Sequence, residues 1–259
     1  MTRVITEIDR RGVARVTINN PEKHNAFDDH LIAELTRAFA TIAANKDVRV
    51  MVLASVGKSF SAGADLGWMQ RMADYSFREN LRDSQALAEM LRVLNNMPQP
   101  TIARVQGAAF GGAVGLVSCC DIAIAAQAAS FSLSEVRIGL VPATISPYVI
   151  AAIGERPARR YFTTAERFSA GTAQQLGLVS ETTEIDSLDT KVEEIVSALL
   201  ANGPAAIQRA KQLIFDISGK PIDQGLIDQT CETIATLRVS EEGQEGLNAF
   251  LQKRPPKWL

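Results

Sequence analysis

The sequence predicts an α/β fold whose second half turns helical. Alternating or continuous apolar runs of strand length recur at residues 4–9, 13–19, 50–55, 101–105 and 122–126, and stretches with helical spacing of apolar residues stand between several of them. Beyond Pro142 the pattern is mostly helical, broken at Gly154, Gly177, Gly203-Pro204 and Gly219-Lys220-Pro221. A chain of 259 residues, 46% hydrophobic and 22% charged, can bury a sizeable core, so one core with an appendage is the default organisation.

In chain order, residues 4–9 and 13–19 alternate apolar and polar side chains about Gly12 and read as a hairpin. Asp28 caps a helix in which Leu31, Ile32, Leu35, Phe39 and Ile42 fall at helical spacing. The apolar run 50–55 is a buried strand, expected to deliver the loop Ser61-Ala62-Gly63-Ala64-Asp65 from its end, with Asp65 as the cap of the helix that follows. Ser76-Phe77-Arg78-Glu79 matches a capping box, in which each side chain satisfies a backbone N–H of the other. Its helix runs to about Met97, where Pro98 and Pro100 end it. Strand 101–105 leads into a glycine turn at 107–112, a helix from near Gly112 to before Asp121, and strands at 122–126 and 129–132. Strand, strand, helix thus recurs in the first half, although no repeat is visible by identity.

A formal net charge of −2 supplies no basic field for nucleic acid or an anionic membrane and points to a small-molecule partner. Cys119, Cys120 and Cys231 are odd in number and lack zinc-ligand or redox spacing, as expected of a reducing, cytoplasmic compartment. The alternating N-terminus reads as strand, with no signal peptide expected, and the uncharged stretch from Gly107 to Cys120 falls short of the ~20 residues a membrane span needs. Gly57-Lys58-Ser59 lacks the earlier glycine of a phosphate loop, position 52 being Val. His24 and His30 are expected at the surface, with no metal site. The absence of a Gly-x-Ser-x-Gly elbow sets serine-hydrolase chemistry aside.

The residues that carry chemistry are two glycine-rich loops, Ser61-Ala62-Gly63-Ala64-Asp65 and Gly107-Ala108-Ala109-Phe110-Gly111-Gly112, and a lone acid in Ser132-Leu133-Ser134-Glu135. Glycine and alanine let backbone N–H groups come close to a developing negative charge. The second loop lies between a strand and a helix start, where N–H groups are free and the helix dipole favours an anion. Glu135 has the apolar neighbours Phe131, Leu133, Val136 and Ile138, which raise a carboxyl pKa toward the range suited to proton transfer. The combination reads as an oxyanion hole beside a proton donor.

At these residues the chain resembles the enoyl-CoA hydratase/isomerase superfamily, the crotonases. The likeness takes in Pro21-Glu22-Lys23-His24-Asn25-Ala26-Phe27, the loop from Phe60 to Leu66, and the glycine segment before Cys120-Asp121. It continues through Ser134-Glu135-Val136-Arg137-Ile138-Gly139-Leu140-Val141-Pro142 and Ala249-Phe250-Leu251-Gln252-Lys253-Arg254, all in family order. It implies a crotonase-type spiral of repeated ββα units over residues 1–200 and a C-terminal helical region, 201–259, that assembles homotrimers or homohexamers. It further implies that the N–H groups of Ala62 and Gly112 grip the thioester oxygen of an acyl-CoA while Glu135 moves a proton at the adjacent carbon. For coenzyme A, the resemblance places Lys23 near the phosphates and the backbone of Ala62, Gly63, Ala64 and Asp65 around the pantetheine and adenine. Phe250 and Lys253 would come from a neighbouring subunit. No metal or redox cofactor is implied, coenzyme A being part of the substrate.

One position departs from the pattern. Many family hydratases carry a second glutamate three residues after the second member of the glycine pair, and here that place is Gly115. The first reading is a hydratase of 2-enoyl-CoA, because residues 109–121 and Pro147-Tyr148-Val149-Ile150 resemble the branch that handles 3-methylglutaconyl-CoA and isohexenylglutaconyl-CoA in leucine and acyclic terpene breakdown. Such a substrate brings its own carboxylate, which Arg137 or Arg71 would orient, with Ser118, Thr144, Ser146 and Tyr148 as candidates for holding water. The second reading is a 3-enoyl to 2-enoyl isomerase, which a single acid fits. The third is a non-catalytic acyl-CoA- or RNA-binding relative, against which Glu135 and the acidic charge balance count.

Overall fold

The computed structural model describes residues 2–259. The expected hairpin forms from β1 (Val4–Ile8) and β2 (Val13–Ile18), antiparallel in register. After it, the chain lays one strand in a six-stranded sheet, the next in a four-stranded sheet, and then a helix. The large sheet takes β3 (Val50–Ser55), β5 (Thr101–Val105), β7 (Ile122–Ala126) and β10 (Glu181–Thr183), in the order β1-β2-β3-β5-β7-β10 and parallel from β2 onward. The small sheet takes β4 (Ser59–Ser61), β6 (Ala108–Phe110), β8 (Ser130–Ser132) and β9 (Phe168–Ser169), in that order.

Both faces of the large sheet are covered. Met51 and Leu53 pack with α1 (Asp29–Ala44), α3 (Phe77–Asn95) and α4 (Gly112–Cys119), while Val50 and Val52 pack with α8 (Leu188–Leu200). A strand buried on both sides needs no polar alternation, which explains the unbroken apolar run at 50–55. The Asp28 carboxylate accepts from the Leu31 N–H at 2.7 Å, and the five apolar positions expected to face the core from α1 are all buried. The reciprocal bonds of the capping box at Ser76 and Glu79 are present at the start of α3.

The sequence expectation and the structure part company at the short strands. The loop at 62–65 is delivered by β4, not by the end of β3, and the turn at 107–112 contains β6. The second half contains β9 and β10 among α5 (Ser146–Ile153), α6 (Glu155–Thr164) and α7 (Ala170–Leu176). Strands of two or three residues are too short for period-two alternation to show. Asp65 does cap a helix, α2 (Leu66–Asp74), accepting from the Trp68 N–H at 3.1 Å.

Three neighbours in the small sheet position the site. β4 pairs with β6, and β6 with β8, in parallel, with a register irregularity between Ser59 and Ser61 of β4. Parallel strands end on one side, so residues 62–65, 111–112 and 134–135 emerge next to each other. The chain closes with α9 (Pro204–Ile217), α10 (Gln224–Val239) and α11 (Glu241–Leu251), of which only Ala249 on α11 is buried. Among the described residues no helix is long and apolar enough to cross a membrane.

Candidate active site

The first glycine loop is stitched to the segment before α1. Phe27 N–H donates to Gly63 O and Asp65 N–H to Phe27 O, both at 2.7 Å, so Ala64 is bracketed by a parallel bridge. Its own N–H therefore points away from Phe27, and among the described residues it meets no acceptor. The Ala62 N–H, expected to be an oxyanion donor, is instead spent on His24 O at 3.0 Å. The free donor of this loop is thus two residues later than the sequence reading placed it. Asn25, buried at φ +56°, holds the clamp: its Nδ2 donates to Val56 O and Ser59 O, each at 2.8 Å, and its Oδ1 accepts from Asn20 N–H at 2.9 Å.

The second loop crosses the first at close range. A Cβ on Gly63, whose φ is +93°, would stand 3.2 Å from Phe110 O, so both conformation and space call for glycine there. Gly111, at φ +55°, donates to Ser132 O at 2.9 Å and leads into α4. The Gly112 N–H in the first turn of α4 has no acceptor among the described residues, as the opening of a helix dictates.

Glu135 begins a short 3-10 turn, Glu135–Ile138, beyond β8. A Cβ on Gly111 would be 3.2 Å from its Oε1, so the carboxyl lies against bare backbone. Its Oε2 is buried without a hydrogen-bond partner among the described residues. Burial raises this carboxyl above the ordinary glutamate value of about 4.3, an effect only partly offset by its own backbone N–H.

Ala64, Gly112 and Glu135 line one cavity of about 500 Å³. One wall comes from Trp68, Met69 and Met72 of α2 and from Asn80, Asp83, Ser84 and Leu87 of α3, the latter at the spacing that puts them on one helix face. Arg137, Thr144, Ile145 and Arg167 also line it. Such a site can hold a carbonyl whose oxygen gains charge and can exchange a proton with the atom beside it.

Other expected residues land elsewhere. Lys23 Nζ lies 2.8 Å from Asp65 Oδ2, outside the cavity lining, and this contact more than any other holds the Asp65 carboxyl below the usual range. Phe250 is 82% exposed on α11, and neither it nor Lys253 lines the cavity of its own chain. Arg71 is paired with Asp29 at 2.6 Å, whereas Arg137 faces the cavity and donates to Ala165 O at 2.7 Å. Of the four candidate water holders only Thr144 lines it; Ser118 and Ser146 donate to Val114 O and Ala143 O. A Cβ on Gly115 would overlap Ile145, lying 2.9 Å from its Cβ, so the place of the absent glutamate is filled by packing.

Sequence reasoning missed Ala64, Trp68, Asp83 and Arg167. Asp83 had a signal, since it shares a helix face with Leu87. Arg167, whose guanidinium carbon sits 4.8 Å over the Phe110 ring, had none, because β9 was not foreseen.

The family described as Enoyl-CoA hydratase/isomerase matches residues 9–259. A 2,3-dehydroadipyl-CoA hydratase of Escherichia coli is 30% identical over 257 residues, 99% of this chain and 98% of that protein. The crystal structure of an enoyl-CoA hydratase from Shewanella pealeana is 46% identical with a TM-score of 0.96, covering 99% of this chain and 96% of that one. The structure of AtuE from Pseudomonas aeruginosa is 33% identical with a TM-score of 0.94, covering 99% of both chains. With the site and the fold both matched, the chain belongs to the enoyl-CoA hydratase/isomerase family, the crotonases.

Proposed function

We propose that the protein hydrates a branched, glutaconyl-type 2-enoyl-CoA, with the thioester oxygen gripped by the N–H groups of Ala64 and Gly112 and with Glu135 delivering the proton to the α-carbon. The observation that carries this reading is the buried, unpartnered Glu135 oxygen beside two unspent N–H donors in one cavity. Each such donor is typically worth ~10²–10³ in turnover. Support for a substrate with a second carboxylate comes from Arg137 and Arg167 on the same cavity and from the uncharged position 115. The Escherichia coli relative, by its name, acts on a dehydroadipyl thioester, which also ends in a carboxylate.

Coenzyme A enters as part of the substrate, with no resident cofactor, and Lys23 swings from Asp65 to its phosphates. The exposed apolar residues Ile214, Phe215, Val239, Phe250 and Leu251 lie on helices that bury almost nothing within one chain. Such helices need a partner surface. Residues 201–259 are accordingly read as the region that assembles cytoplasmic trimers or hexamers and brings Phe250 and Lys253 to a neighbour's coenzyme A.

The packing of Ile145 against Gly115 favours a second reading, the 3-enoyl to 2-enoyl isomerase. Incubation with 3-methylglutaconyl-CoA, a longer homologue, crotonyl-CoA and a 3-enoyl-CoA separates the two. Gain of one water, faster with the glutaconyl thioesters than with crotonyl-CoA, is expected. Unchanged mass with new conjugated absorbance would establish the isomerase, and a preference for crotonyl-CoA would refute the branched substrate.

A further inference from the structure

We propose that Asp83 is the base that takes the proton from the attacking water, doing from α3 what no residue can do from position 115. This assignment rests on the hydratase reading above. Hydration needs two proton operations, one at water and one at the α-carbon. Two carboxyls line the cavity, Glu135 on the side of the small sheet and Asp83 on the helical wall. Asp83 sits on the α3 face shared with Asn80, Ser84 and Leu87, turned toward the cavity. Its Oδ2 accepts the indole Nε1–H of Trp68 at 2.7 Å. Trp68 is only 6% exposed, so packing fixes the ring and its N–H aims the carboxylate. The other oxygen accepts from no described residue, and no described lysine or arginine pairs with Asp83.

The step balances without a further reagent. The water oxygen bonds to the β-carbon as its O–H bond breaks and the proton passes to Asp83. The π electrons move into an enolate whose oxygen lies on the Ala64 and Gly112 N–H groups. The α-carbon then takes the proton of Glu135. After product leaves, solvent carries the proton from Asp83 back to Glu135, so one water is added and nothing is oxidised or reduced.

Asp83→Asn tests this, because the amide oxygen still accepts from Trp68 while the base is gone. Two readouts are compared: hydration of the best thioester in the panel, and exchange of the α-hydrogens of butyryl-CoA with deuterated solvent, which needs Glu135 and the N–H donors alone. Hydration is expected to fall ~10²–10⁴, the range of general acid–base catalysis, with exchange close to the parent's. Hydration near the parental rate overturns the assignment, and so does a parallel loss of both readouts, which marks Asp83 as a support for the wall. Should the amide variant not fold, Asp83→Ala with added formate is the substitute, and hydration restored by formate is the expected result; no restoration overturns it. A parent that hydrates no thioester at all sinks the hydratase reading itself and is distinguishable from either outcome.

Discussion

Glu135 combines half-burial, an unpartnered oxygen and a raised pKa, each of which has a measurable consequence. Glu135→Gln keeps the shape and removes the titrating proton, so turnover should drop ~10²–10⁴ with acyl-CoA affinity little changed; kcat beside a direct binding measurement checks it. Stability should move the other way. Because burial raises the folded-state pKa, ionisation costs more in the folded chain than in the unfolded one. The contribution of this carboxyl is fully present below about pH 4 and is lost as pH rises through the folded value. Glu135→Gln is therefore expected to melt above the parent at pH 8 and together with it near pH 4. Equal melting at both would show that the carboxyl is not desolvated. At this scale the acid was legible in the sequence, since its apolar neighbours flank it directly. The choice between Ala62 and Ala64 was not, because it depends on the bridge to Phe27, a contact set by tertiary structure.

Among the elements, α1 and α3 were legible because caps and periodicity agree at Asp28 and Ser76, whereas β4 and β6 were hidden inside loops of the right composition. The contact between α4 and the start of α5 was equally invisible. Gly115 looked like an acid removed to make room for substrate, yet its hydrogen faces Ile145 and Leu91. Gly115→Ala is expected to cost about 1–3 kcal/mol through overpacking, read as a lowered urea midpoint with unchanged slope. Gly115→Glu adds a buried charge to the same overlap and should lower the yield of folded protein further, so it does not report on substrate choice. Full parental stability in Gly115→Ala would mean that α5 yields at no cost and that the overlap is not a constraint.

For the whole molecule, the tail behind α11 docks on its own chain. Arg254 pairs with Glu245 at 2.7 Å, Trp258 Nε1 donates to Ala201 O at 3.3 Å, and Arg49 Nη1 donates to Trp258 O at 3.2 Å. Deleting everything from Phe250 onward would disturb these contacts together with any shared site. Phe250→Ala and Lys253→Ala are cleaner: each should weaken acyl-CoA binding while leaving the tail contacts intact. In the parent, affinity should fall on dilution below the concentration at which light scattering shows the assembly coming apart. Affinity indifferent to dilution would confine the coenzyme A site to a single chain. The site itself divides unevenly along the sequence. Its anion grip and its acid are contributed by three separate strands of the small sheet, while the α2–α3 wall is one unbroken stretch, residues 66–95. That wall is a cassette: exchanged as a block for the corresponding stretch of a relative, it would carry acyl preference with it and leave enolate formation behind. A scaffold divided in this way can change its diet by altering a single segment, without relearning its chemistry.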